Sequence, residues 1–124
     1  MSIAHRAERI AVREVDVQRA VMDVLAARGF VVFRRNVVGT RIYEHKGKRR
    51  AIRGEQRGAA DIYGWHRRDG RHIEVEVKAP GKRPSPWQQA WLGMCSRSGA
   101  LSFWTDSVAD LEENLELHGY RGNW

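Results

Sequence analysis

The segment from Asp61 to Lys78 constrains the fold of this chain more than any other. Asp61-Ile-Tyr-Gly-Trp-His66 and His72-Ile-Glu-Val-Glu-Val-Lys78 are rich in β-branched and aromatic residues, and Arg67-Arg-Asp-Gly70 between them carries an Asp-Gly turn. That combination predicts an antiparallel hairpin. Side chains on a strand alternate faces, so Ile73, Val75 and Val77 share an apolar face while Glu74, Glu76 and Lys78 share the other. A two-residue turn at Asp69-Gly70 sets Asp61 opposite Lys78, whereas a four-residue loop over 67–70 sets Asp61 opposite Glu76. Both registers bring Asp61, Glu76 and Lys78 to one face. An unbulged three-residue loop would separate them.

The flanking segments supply the rest of an α/β fold. Val17, Val21, Val24 and Leu25 recur at helical spacing between Glu14 and Arg28, and Gly29 stands where a helix should stop. Phe30 to Arg35 reads as a strand. Ser85, Pro86 and Gln88 form an N-cap, a first-turn proline and a capping-box partner. The helix they open carries Trp87, Trp91, Met94 and Cys95 along one side, which reads as a core stripe. Leu101–Thr105 reads as a final strand, and Ser107 opens a closing helix to about His118. The order α-β-(loop)-β-β-α-β-α describes a central mixed β-sheet flanked by helices. We expect one domain over 14–118, preceded by an N-terminal arm, 1–13, in which Ile3, Ala7, Ile10 and Ala11 keep helical spacing. A basic insertion, 39–57, is expected as a loop or hairpin, and 119–124 as a C-terminal tail.

Charge narrows the partner class. The 124 residues hold 22 Lys and Arg against 15 Asp and Glu. The surplus concentrates at Arg41, Lys46, Lys48, Arg49, Arg50, Arg53 and Arg57, with Lys82 and Arg83 further on. Such a field attracts polyphosphate, and these residues are the candidate nucleic-acid contacts; the bland alternative is a solvated basic face. A lone cysteine, Cys95, excludes an intramolecular disulfide and a Cys-rich zinc site, and points to a reducing, cytoplasmic setting. No apolar run is long enough to span a membrane, and the N-terminus has no signal-peptide core. The five histidines form neither a His-Glu-x-x-His motif nor a Cys/His zinc pattern.

Two carboxylates beside an amine suit phosphodiester hydrolysis. Magnesium or manganese takes hard oxygen ligands and substrate phosphate oxygens. Lys78 between carboxylates keeps its charge, which favours electrostatic stabilisation over a general-base role. The small residues Gly58-Ala59-Ala60 would let a DNA backbone approach, and Trp65, on the Asp61 face, is placed to stack on a base or sugar. The competing account is that Glu74, Glu76 and Lys78 form the wet face of an edge strand, with Asp61 and Lys78 an ordinary cross-strand ion pair.

The spacing adds a resemblance. Gly58-Ala-Ala-Asp61, fourteen intervening residues, Glu76-Val-Lys78-Ala-Pro-Gly81 and Ser85-Pro-Trp-Gln88-Gln-Ala-Trp91 resemble the VRR-NUC family of the PD-(D/E)XK nucleases, with a Holliday-junction-resolvase-like core. The likeness runs from about Glu14 to Leu117 and is most specific in Glu-Val-Lys-Ala-Pro-Gly. It implies a restriction-endonuclease-like core and metal-dependent cleavage of structured or branched DNA, such as four-way junctions, by a homodimer of bacterial or phage origin. It further implies that Glu14, Asp61, Glu76 and the Val77 carbonyl are metal ligands, that Lys78 is the catalytic lysine and that Gln88 approaches the active site. Glu14 could instead be only a first-turn charge, and Gln88 only a capping-box member. Glu74 fits the motif badly and is expected at the periphery. Ala59 stands where proline is common. Two other functions stay open at this point, a non-catalytic basic DNA-binding module and an RNA-directed nuclease.

Overall fold

A computed structural model of the chain describes residues 12–35 and 57–124, together with the strand backbones of 40–45 and 48–53. The arm expected over 1–13 thus lies outside the described residues, apart from Val12 and Arg13. The elements are α1 (Glu14–Ala27), β1 (Phe30–Arg34), β2 (Thr40–His45), β3 (Lys48–Arg53), β4 (Ile62–His66), β5 (His72–Val77), α2 (Pro86–Arg97), β6 (Leu101–Thr105) and α3 (Val108–Leu117). Four strands make a mixed sheet in the order β1-β4-β5-β6, antiparallel except for β5 and β6. The expected α/β architecture holds. The basic insertion is a separate antiparallel hairpin of β2 and β3.

The β4–β5 register settles the turn. Ile62 pairs with Val75, Tyr63 with Glu74 and Trp65 with His72, so 67–70 form the four-residue loop and Asp61 comes opposite Glu76. Gly70 takes φ 71° there and donates its N–H to the His66 carbonyl at 2.8 Å.

The two sheet faces have different coverings. Ile73, Val75 and Val77 point into a core with Val17, Val21 and Leu25 of α1 and Leu111 and Leu115 of α3. Helix α2 lies over β5 and β6 on the opposite face, above Glu74 and Glu76. It starts where expected: Ser85 accepts from the Gln88 N–H and donates its own to the Gln88 side chain, with Pro86 next. The Trp stripe is not core, however. Trp87 is 53% exposed and Met94 is exposed, while Trp91 sits partly covered over a carboxylate. The apolar periodicity of α2 misleads because the sheet face beneath it is acidic.

Residues 119–124 return to the domain. Tyr120 is buried in the core, its hydroxyl donates to Asp69 at 2.9 Å, and the Trp124 N–H donates to the Ala27 carbonyl. His66 is buried against Phe30, Tyr120 and Trp124. Its Nδ1 accepts from the Arg68 N–H, which leaves Nε2 to donate to the Arg28 carbonyl. His66 is therefore a satisfied structural residue.

Leu25 is fully buried at the centre of the core, whereas Leu117 is 81% exposed. Leu25→Ala should lower unfolding free energy by about 2–5 kcal/mol in urea titration, and Leu117→Ala by less than about 0.5 kcal/mol. Equal effects would contradict the assigned core.

Candidate active site

Asp61, Glu76 and Glu14 come together from three elements. Asp61 stands just before β4, Glu76 sits on the central strand β5, and Glu14 opens α1. Each offers an oxygen within 4.8 Å of the others. Asp61 is fastened by the Val77 N–H, which donates to Oδ2 at 2.9 Å. Lys78 follows directly after that strand, its Nζ 3.5 Å from Glu76 Oε1 and 4.0 Å from Glu14 Oε1. Glu14 also sits in the first turn of α1, where its charge complements the helix dipole. The two readings of Glu14 are compatible.

Helix α2 aims two donors at this strand. Gln88 Nε2 donates to Glu76 Oε1 at 2.8 Å, and Trp91 Nε1, one turn on, donates to Glu74 Oε1 at 2.7 Å. Gln88 does this while its Oε1 closes the capping box. Here too the alternatives coexist in one side chain.

Two acidic residues on one strand meet opposite fates. Glu74 and Glu76 are each 1% exposed. β5 is an interior strand, so the account of a wet edge face fails. Nor does Asp61 face Lys78 in an ordinary surface pair. Glu74 is saturated with donors: Arg35 binds both its oxygens at 2.7 and 3.1 Å, and His72 and Trp91 contribute further contacts at 2.6 and 2.7 Å. Burial works to raise its pKa, but the bonds from Arg35, Trp91 and His72 outweigh burial and hold it below the usual carboxylate range. Glu74 is therefore a central structural pin and not a peripheral residue.

Glu76 has no such shell. Its Oε2 is buried and meets no donor among the described residues. Burial first, then the proximity of Asp61, push its carboxyl up to about 8 against the pull of Lys78. A buried polar atom left unpaired costs about 1–3 kcal/mol, more when charged. A buried carboxylate clustered with two others, one of its oxygens lacking a donor among the described residues, is a donor set that fits a hard divalent cation.

The small residues before Asp61 have a different purpose from the one expected. Ala59 and Ala60 are buried and cannot meet DNA. Gly58 has φ +84°, and a Cβ there would come 2.4 Å from the Trp87 carbonyl oxygen. Only glycine lets this loop press against the start of α2 and set Asp61 beside Glu76.

Sequence reasoning missed Arg35. Besides Glu74 it reaches the Ala60 carbonyl at 2.7 Å and lies over the Tyr63 and Trp91 rings. The signal was the shared parity of 31, 33 and 35, but using it required the β1–β4 pairing. Of the candidate phosphate contacts, Arg57 is exposed and stacked 4.4 Å over Trp87, and Lys82 and Arg83 are exposed on the loop before α2. Arg41, Lys48, Arg49, Arg50 and Arg53 lie on the β2–β3 hairpin, and Lys46 lies outside the described residues.

With this geometry in view, comparison with known proteins is decisive at family level. The family model described as the VRR-NUC domain matches residues 34–109. The chain belongs to the VRR-NUC family. The matched segment includes Asp61, Glu76, Lys78 and Gln88, while Glu14 precedes it. A solved structure titled "VRR_NUC domain" is 24% identical, with TM-score 0.59, over 89% of this chain and 100% of the other, and shares the fold. No curated protein matches. Membership implies nuclease-type function with DNA as partner. Among the described residues, no helix is long and apolar enough to cross a membrane.

The raised Glu76 carboxyl makes a signed prediction for metal-free protein. Folded protein retains a proton that the unfolded chain releases, so this group's contribution to stability falls as pH rises from about 4.5 to about 8. In chelator, Glu76→Gln should raise the thermal midpoint relative to wild type at pH 8 and leave it little changed at pH 4. An unchanged difference across that range would contradict the assignment.

Proposed function

We propose that this chain is a metal-dependent endonuclease that hydrolyses DNA phosphodiesters, with structured or branched DNA as substrate. The observation that carries the reading is the convergence of Glu14, Asp61 and buried Glu76, each offering an oxygen within 4.8 Å of the others. Those three carboxylates, with the Val77 carbonyl, would hold magnesium or manganese. When bound, the ion supplies Lewis acidity at the scissile phosphate and stabilises the leaving oxygen.

The chain's own residues do the positioning. The Val77 N–H holds Asp61, Gln88 holds Glu76, and both carboxylates are thus oriented before substrate arrives. The Lys78 ammonium, mostly covered and next to Glu76, is placed to orient the attacking water and to offset charge on the phosphoryl group. The basic hairpin and Arg57, Lys82 and Arg83 grip neighbouring phosphates. A homodimer would present one such cluster to each of two strands in a four-way junction. Asp61, Glu76 and Lys78 standing together weighs against a module that binds without cutting.

Purified protein incubated with labelled linear, flapped and junction DNA should cleave with magnesium and not with chelator. Asp61→Asn and Lys78→Met should each lower the rate by about 100-fold or more while DNA binding persists. Variants that cleave as well as wild type would exclude this site. Separately, replacing Arg49 and Arg50 with alanine should weaken binding and reduce the slope of log affinity against log salt by about 2. An unaltered slope would remove the hairpin from the phosphate grip.

A further inference from the structure

Among the described residues, the sheet face that carries the acidic cluster is covered over half its width: helix α2 packs on β5 and β6, and no described helix packs on β1 and β4 there. Directly paired residues share a face, so the Val31–Trp65 and Phe33–Tyr63 pairs turn Phe33, Tyr63 and Trp65 toward the same side as Asp61. Phe33 and Trp65 are each 44% exposed. The Phe33 ring lies 5.7 Å from Tyr63 and 5.9 Å from Trp65, centroid to centroid, with tilts of 33° and 42°. Arg35 extends the strip, its guanidinium 4.5 Å over Tyr63. Single exposed apolar residues need no explanation, but three rings in contact on an open sheet are not scatter. Trp65 stands four residues along β4 from Asp61, roughly 13 Å at the rise of a strand.

Charge selects the occupant. Beyond the Asp61–Glu76 cluster, the carboxylate that β5 turns to this face is Glu74, which is buried and bonded by Arg35. The strip therefore offers rings with no exposed carboxylate among its described residues. The chain's surplus of seven positive charges draws a polyanion toward such a surface.

We propose that Phe33, Tyr63 and Trp65 form a stacking platform for unpaired nucleotides of a DNA strand whose adjoining phosphate lies at the carboxylate cluster; the position of that phosphate rests on the hydrolytic reading above. Rings on an open sheet bind base faces, and a duplex hides those faces within its own stack. The platform thus favours DNA with a single-stranded segment beside the scissile phosphate over continuous duplex.

The test uses the full chain with calcium in place of magnesium, so that binding is read without cleavage. Two probes are compared, a blunt duplex and the same duplex bearing a single-stranded oligothymidine tail. Wild type should bind the tailed probe about tenfold or more tightly than the blunt one. Phe33→Ala combined with Trp65→Ala should abolish that preference and leave blunt-duplex affinity unchanged, and Trp65→Phe should retain most of it. If the double variant loses its thermal transition, Trp65→Ala alone should lower the preference several-fold. Equal wild-type affinity for the two probes would overturn the platform, as would equal losses on both in the variants. A wild-type dimer in sedimentation that becomes monomeric in the double variant, with the probe preference unchanged, would instead make the strip a self-association surface. Tail preference without cleavage of either probe in magnesium would leave the platform standing and remove the hydrolytic reading.

Discussion

Burial of Glu74 and Glu76 beneath helix α2 is the constraint around which this structure is arranged. Removing a carboxylate from water costs on the order of several kcal/mol unless partners replace the lost hydration. The molecule meets that demand completely at Glu74, through Arg35, His72 and Trp91. It meets it only partly at Glu76, where Gln88 and Lys78 serve one oxygen and no donor among the described residues reaches the other. Because the two residues project from the same strand face under the same helix, burial alone does not explain the difference. The incomplete shell lies at the end of the strand where Asp61 and Glu14 converge, and the complete one lies where they do not.

The two carboxylates also divide the work of the sheet. Glu74 ties β1 to β5 through Arg35 and ties α2 to the sheet through Trp91, which fixes the helix above its strand. A helix so fixed delivers Gln88 to Glu76. The rigid pin thereby positions the unsatisfied site, as is required of groups that must be oriented before a substrate binds. Gly58 completes the arrangement from the other side by letting the loop before β4 touch the backbone of α2.

Much of this was legible in the chain, because local rules carried it. Alternation along 61–66 and 72–78 puts Asp61, Glu76 and Lys78 on one face with either a two- or a four-residue loop, and the Ser85–Gln88 pattern names its capping box. What escaped depended on contacts distant in sequence. Arg35 meets Glu74 only because β1 pairs with β4, and nothing local to Arg35 announces that pairing. Trp87 and Trp91 show helical apolar spacing, but periodicity cannot tell whether the face below is apolar or acidic. Ala59 and Ala60 looked like an opening for substrate, and small size served close packing. Glu14 and Gln88 each had a helix-end explanation and a site explanation. One side chain at a helix N-terminus can satisfy both, since the dipole and the cluster lie on the same side.

The central claim is that the convergence of Glu14, Asp61 and Glu76 holds a divalent cation. Anomalous diffraction from crystals equilibrated with manganese tests it most directly. The account predicts a peak within bonding distance of carboxylate oxygens from all three residues, which is lost in crystals of the Asp61→Asn variant. A peak elsewhere, or none at saturating manganese with these carboxylates well ordered, would contradict it.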